Sequence, residues 1–480
     1  MRLYSILSDH SLYDYHKKVH GLLIEYRQLE KSGNTVQLKS KKNVGTLFRK
    51  IKKTKRGLNM DCLDGIIKLN KENYTIDVGA RTTFHTITLE TLKHNLMPKV
   101  LPELSSITVG GAISGVGLES SSFKYGWVHD AVVSMDVLVA DGKIVTCTAD
   151  NVHKDLFHAM PNSYGTLGYI TRVKLQLMKT KPYVQLRNNT FTNATAAFNF
   201  MEGLCKYNNE THITGTDKTV DFIDAVAFSK DNIVVAIGKF TNVGIGCSHY
   251  PSDGIYYKSL TEKSEDRLSV YDYCWRWDSD MFWGTEGMFL LQNKWVRRIF
   301  GRSLFNTPVL RTLNILISKY RKMYATYWSK KTPSKRVSPL YERIIQDIGI
   351  PMKKTPDFFD WLDKKINVYP VWLCPIKPKD SSDNTYAWNL NDGQLYFDIA
   401  IFGKKKTDED PKHAYYNKLI EEKMLELDGN KSFYSDTYFT DEQFNKVIET
   451  EKYKEVKAKY DRDNKFMNLY DKVISKPKID

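Results

Sequence analysis

The chain has 480 residues, 41% of them hydrophobic, and a net charge of +15. That length suggests about two to three domains, and with no apolar run of about 18 residues the sequence predicts no membrane-spanning helix. Six scattered cysteines without a CxxC pair fit a reducing compartment and give structural zinc no support.

The positive charge fits an anionic cofactor, an anionic membrane surface or a plain solvated lysine surface. Nucleic acid is not an expected partner, because no zinc-finger or RNP signature accompanies the basic residues. Met1–His10 breaks at Ser8 and Asp9 before an apolar core develops, so no signal peptide is expected.

In chain order, Leu22, Leu23, Tyr26 and Leu29 predict an amphipathic helix over Leu12–Leu29, ending at Ser32-Gly33-Asn34. Strands are predicted at Thr35–Leu38, Gly65–Leu69 and Tyr74–Val78, the last two joined by the turn Asn70–Asn73. Between the first two lies RKIKKTKR, Arg49–Arg56, which reads either as an exposed basic loop or as a clamp on a pyrophosphate. A helix over Thr86–His94 follows.

Leu101–Tyr125 then collects Gly110, Gly111, Gly115 and Gly117 within eight residues. Such density predicts an extended loop rather than a helix or strand. Its N–H groups can point together at anionic oxygens, with Ser114, Ser120, Ser121 and Ser122 adding hydroxyls. The alternative is a set of tight turns.

Val133, Val137 and Val139 predict a strand turning at Asp141-Gly142 into Lys143–Thr146. A helix at Asp155–Met160 leads to a second glycine pair, Gly165 and Gly168, and to a strand at Ile170–Leu177. Lys179-Thr180-Lys181-Pro182 reads as a linker.

Beyond it, long strands such as Ile233–Phe240 alternate with aromatic segments. Trp275, Trp277, Phe282 and Trp283 suit either a flat apolar substrate or a core. Gly287–Tyr341 contains no Asp or Glu and interleaves basic with apolar residues. It reads as a membrane-surface element or as a helical cover with its lysines outward. In the predicted strand Gln394–Gly403, Leu395, Phe397, Ile399 and Ile401 share one face, leaving Tyr396 and Asp398 on the other. An Asp facing inward there must be partnered or functional. Ala414–Ile474 is predicted mostly helical.

Among motifs, GVGLES at 115–120 is a distorted GxGxxG that does not follow the first strand of a βαβ unit, against a Rossmann fingerprint. No P-loop, HExxH or GxSxG occurs, so metal catalysis and serine hydrolysis lack their main signals.

ITVGGAISGVGLESSSFKYGWVHD, VLVADGKIVT and DLFHAMPNSYGTLGYITRVKL together resemble the PCMH-type FAD-binding domain of the vanillyl-alcohol-oxidase flavoproteins. They are most similar to the delta(24)-sterol reductase branch, as are VYPVWLCP, YFDIAIFG, KYKEVKAKY and NLYDKV further on. The resemblance implies an α+β fold. Its parts would be a two-subdomain FAD-binding domain over 1–180, an antiparallel-sheet cap (substrate) domain over 181–402, and a helical C-terminal segment over 403–480 packing on both.

It also implies that Thr108, Gly110, Gly111, Ser114, Gly115, Gly117 and Glu119 line a flavin and its diphosphate. Gly165, Thr166, Gly168 and Ile170 would form a second contact strip and Val78-Gly79-Ala80 a third. RKIKKTKR stands where the broader superfamily carries a flavin-linking histidine, so the FAD is expected to be non-covalent, with Lys52, Lys53 and Lys55 on the diphosphate.

The implied activity is reduction of a sterol side-chain double bond, with NADPH reducing the FAD. An isolated alkene needs a proton along with the hydride; the expected acids are Asp398, Tyr396, Glu119 and Tyr369. The implied location is cytoplasmic, or peripheral on the cytoplasmic face of the endoplasmic reticulum membrane through 287–341. The alternatives are a flavin oxidase or dehydrogenase of an alcohol or sugar, and an inactive lipid-binding relative.

Overall fold

The computed structural model describes residues 2–32, 35–39, 56–210, 219–286, 288–331, 340–379 and 394–474. It is an α+β protein with two antiparallel sheets. The first holds β1 (Ile66–Asn70), β2 (Thr75–Gly79), β3 (Leu96–Pro98), β4 (Val132–Leu138), β5 (Ile144–Cys147) and β6 (Tyr169–Lys179). Its order is β1-β2-β6-β4-β5, with β3 also paired to β6. The long β6 is the spine of this sheet because its inward residues Val173, Leu175 and Leu177 alternate with Arg172, Lys174 and Gln176.

The second sheet is built from β7 (Tyr183–Phe191), β8 (Phe222–Ser229), β9 (Asn232–Thr241), β10 (Glu265–Ser269), β11 (Leu340–Pro351), β12 (Val371–Ile376), β13 (Tyr396–Thr407) and β14 (Asn430–Lys431). They lie in the order β10-β7-β9-β8-β12-β13-β11-β14. Every strand of the first sheet precedes Thr180 and every strand of the second follows Pro182.

The N-terminal helix spans Arg2–Glu30, longer than its periodicity predicts. It buries Tyr15, Val19, Leu22 and Tyr26 against the first sheet, and the Tyr26 hydroxyl donates to the Ala140 carbonyl at 2.8 Å. Thr35–Leu38 forms no strand; Leu38 makes an isolated bridge to Leu58.

The C-terminal helices Tyr415–Glu426, Asp441–Val447, Thr450–Tyr460 and Leu469–Val473 are interrupted by β14, which extends the second sheet. The chain then returns to the first sheet: Ala140 N–H donates to Tyr460 O at 3.2 Å and Val36 N–H to Lys465 O at 2.7 Å. Phe466 packs on Tyr169 with ring centroids 5.0 Å apart. Trp275, Trp277, Phe282 and Trp283 belong to the core, with Trp277 stacked on Phe282 at 4.9 Å.

Candidate active site

Side chains two apart on a strand share a face, and on the second sheet this separates two environments. Phe397, Ile399 and Ile401 turn to the side covered by helices Ala194–Glu210 and Thr355–Lys365, where Phe198 packs on Phe397 at 5.0 Å and on Phe359 at 5.6 Å. Tyr396, Asp398 and Ala400 take the other side, with Cys374 directly opposite Asp398. The end of the glycine-rich segment lies along this second side. Ile223 N–H donates to Ser120 O at 2.8 Å, Lys377 N–H to Ser122 O at 3.2 Å and Cys374 Sγ to Glu119 O at 3.3 Å.

Two polar clusters occupy this interface. In the first, Arg276 is 2% exposed and its Nη2 donates to Glu119 Oε1 at 2.6 Å and Asp224 Oδ2 at 2.9 Å. Its guanidinium lies 4.0 Å from the Tyr273 ring centroid, and Trp372 Nε1 donates to Asp224 at 3.1 Å. Burial raises the Glu119 carboxyl pKa, an effect opposed by Arg276 and reinforced by Asp224.

In the second cluster, Asp347 on β11 accepts from the Tyr434 hydroxyl at 2.6 Å. Asp398, 2% exposed, lies diagonally beside Asp347 on the adjacent strand, and its Oδ2, like Asp347 Oδ1, is buried without a hydrogen-bond partner among the described residues. Burial, then the Asp347 carboxyl, then Glu103, hold the Asp398 pKa well above the usual carboxylate range. Burial and Glu119 do the same to Glu103. That direction favours the protonated carboxyl of Asp398, a group able to donate a proton in a dry setting.

The glycine-rich segment departs from expectation. Val109–Ser114 is a short helix, not an extended loop, because Gly110 N–H is held by Ala80 O at 2.9 Å and Val109 N–H by Thr82 O at 3.0 Å. A Cβ on Gly110 would come within 3.0 Å of the Ala80 Cβ, so glycine lets the helix lie on the end of β2. The three expected strips do meet. Ala80 touches Gly110, Tyr164 N–H donates to Ser114 O at 3.1 Å, and Ala80 N–H donates to Thr171 O at 3.0 Å.

Within the strips the roles divide. Gly111 is exposed between buried Val109 and Ala112, and Gly110, Ser114, Gly115 and Tyr164 are half-buried beside it. Thr108 is buried, and Gly117 is a packing position where a Cβ would meet Pro102 at 2.9 Å. Thr166 is fully buried, its carbonyl accepting from Lys457 Nζ and its hydroxyl bonded to Tyr453. Gly168 packs on Val137 and Leu138, and Ile170 is in the core. Lys52, Lys53 and Lys55 lie outside the described residues.

Of the expected acids, Asp398 and Tyr396 share the interface side. Glu119 is there too, but as the partner of Arg276. Tyr369 is not brought to them; its hydroxyl donates to Asp363 at 3.0 Å and its ring packs on Phe359, beside the helix on the far side of the sheet. Asp347, Tyr434, Arg276, Asp224 and Glu103 escaped the sequence reading. Asp347 had one available signal, an acid two residues before a glycine in a strand of alternating Ile.

An exposed glycine surface flanked by the Ser114 and Tyr164 hydroxyls is what the edge of a large anionic cofactor can approach. The buried acid beyond it suits a redox reaction that also moves a proton.

Residues 49–148 match the FAD binding domain family. Over 88% of its length the chain is 27% identical to the Delta(24)-sterol reductase of Homo sapiens, covering 78% of that protein. It is 25% identical to the Delta(24)-sterol reductase of Arabidopsis thaliana over 84% of this chain and 74% of that one. A shorter match, 28% identical over 40% of the chain, is to Cytokinin dehydrogenase 7 of Oryza sativa subsp. japonica, 38% of which is covered.

Fold, glycine surface and family match together define a protein with an FAD-binding domain. Within that class, the chain is similar over most of its length to the Delta(24)-sterol reductases.

Proposed function

We propose that this protein reduces the side-chain C24=C25 double bond of a sterol, with NADPH as the source of electrons. The observation that carries this reading is Asp398, a buried carboxyl held toward its protonated form on the sheet face turned toward the glycine-rich segment. FAD, when bound, supplies the hydride chemistry that no side chain possesses. Gly110, Gly111, Ser114, Gly115 and Tyr164 would hold it at the exposed glycine surface.

Reduction of an isolated alkene adds one hydride and one proton across the two carbons, and the chain's part is the proton. Asp398 donates it from the carboxyl oxygen to one alkene carbon while the other becomes electron-poor. The Tyr434 hydroxyl fixes Asp347, which lies diagonally beside Asp398 on the adjacent strand. The spent carboxylate then lies beside Asp347, where repulsion favours taking a proton back. Burial against Cys374 and Trp372 on the same face keeps water from competing for the transfer.

The dehydrogenase alternative draws on a likeness that covers 40% of the chain. It differs in what reduces the flavin. The deciding experiment is an anaerobic visible spectrum of the FAD-loaded protein, before and after NADPH and then after a Δ24-unsaturated sterol. Bleaching by NADPH and recovery with the sterol are expected. A band indifferent to NADPH but bleached by an alcohol would replace the reductase reading with the dehydrogenase one.

A further inference from the structure

Between Gly287 and Tyr341 the sequence has twelve Lys or Arg and no Asp or Glu. Its described part is three helices, Phe289–Gln292, Lys294–Leu304 and Thr307–Lys331. Their inner edge is firmly held. Arg297, fully buried, pairs with Asp280 and donates to the Gly254 carbonyl at 2.7 Å, while the Thr307 hydroxyl donates to Asp278 at 2.6 Å. Phe305, between these anchors, and Leu310, just beyond them, are buried.

Because the inner edge is fixed, the outer face is fixed too, and it is apolar. Leu290, Trp295 and Ile299 are 71%, 73% and 73% exposed, and Leu316, Tyr320 and Met323 are 55%, 62% and 63% exposed. Trp295 and Ile299 are four residues apart, and Leu316, Tyr320 and Met323 follow at steps of four and three, so each set forms a stripe along one helix. Of twenty large hydrophobic side chains exposed among the described residues, eight fall within 290–323. That clustering sets the face apart from the scattered exposure normal to protein surfaces. Lys294, Arg298 and Lys319 are exposed on the same helices.

We propose that this face rests on the surface of an anionic lipid bilayer, its aromatic and aliphatic side chains at headgroup depth and its basic side chains on lipid phosphates and carboxylates. Charge selects this occupant: a second copy of the chain would set basic residues against basic residues. No helix among the described residues is long and apolar enough to cross a membrane, so the contact is peripheral. Asp278, which anchors Thr307, also accepts from Ser105 N–H at 2.9 Å at the start of the glycine-rich segment. The lipid-facing helices are thus tied directly to the candidate site.

The test is flotation of the full chain with vesicles of phosphatidylcholine alone and of phosphatidylcholine with phosphatidylserine. Binding to the anionic vesicles is expected. The double variant Arg298→Gln, Lys319→Gln should weaken it by about thirtyfold, and raised salt should weaken the parent likewise. Trp295→Ser with Ile299→Ser should reduce binding to both vesicle types. These are exposed positions, and an unchanged thermal melt checks the fold. Absence of flotation, or variants that bind like the parent, would overturn the proposal. So would a concentration-dependent dimer that Trp295→Ser with Ile299→Ser dissolves while vesicles are ignored.

Discussion

Asp347 and Asp398 stand diagonally on adjacent strands, Asp347 opposite Ala400 and Asp398 opposite Gly349, so that the two carboxyl groups share one face of the sheet with no side chain from Gly349 between them. Two acids so placed cannot both ionise without a large cost in a buried setting. The arrangement holds one proton where the proposed reaction needs it.

Asp398→Asn preserves shape and removes that proton. Sterol reduction should fall by about 10²–10⁴-fold, while bleaching of the flavin by NADPH keeps its parental rate. Stopped-flow measurement of the two half-reactions separates them; an equal loss in both would deny Asp398 its role as acid.

Asp347→Asn removes the negative neighbour that helps to keep Asp398 protonated. The acid works in its protonated form, so activity is lost as pH rises through its pKa, and in the variant that loss should begin at lower pH. A pH profile of kcat checks this, and Tyr434→Phe, which frees the Asp347 carboxylate of its donor, should leave the acid protonated.

The same pair should make stability depend on pH. The folded-state pKa of Asp398 lies above the unfolded value of about 3.9, so the folded state binds a proton that the unfolded state has released. Stability therefore falls as pH rises from the unfolded value to the folded one. Asp398→Asn should flatten that slope and raise the denaturation midpoint near neutral pH, read from urea titrations at several pH values.

Arg276 is the counter-ion for two buried carboxylates. Arg276→Met should destabilise the protein by about 3–5 kcal/mol by leaving Glu119 and Asp224 uncompensated. Adding Glu119→Gln to that variant should restore part of the loss. A double-mutant cycle in denaturant measures it, and strict additivity would show that the two residues act independently.

Two glycines should answer differently to substitution. At exposed Gly111 only the Thr108 hydroxyl lies within reach of a Cβ, so Gly111→Asp should keep the fold and lose flavin absorbance by setting a carboxylate against the cofactor's phosphates. At Gly168 a Cβ would lie 2.6 Å from Val137 Cγ1 and 2.9 Å from Leu138 O. Gly168→Ala should therefore cost about 1–3 kcal/mol of stability, and the protein that remains folded should still be yellow.

Much of this protein is legible in its sequence. Alternation in Tyr396–Phe402 was enough to place Asp398 apart from Phe397, Ile399 and Ile401. The hairpin at Asp141-Gly142, the long strand through Val173, and the basic apolar stretch after Gly287 were equally plain. These are local properties, set by side-chain periodicity within one element and by residues that tolerate tight turns. The helix at Val109–Ser114 was hidden because its glycines disfavour helix on their own, and it is carbonyls from Ala80 and Thr82, about 30 residues earlier, that hold its first turn.

What a lone strand cannot state is its neighbour. That Asp347 lies beside Asp398, that Tyr434 comes back from the C-terminal segment to hold Asp347, and that Arg276 reaches both Glu119 and Asp224 are outcomes of strand order and of contacts across 52 to 157 residues. The same holds for Tyr369, an expected acid whose hydroxyl instead bonds Asp363. Periodicity decides which way a side chain turns; only the packing of one sheet against another element decides what it meets there.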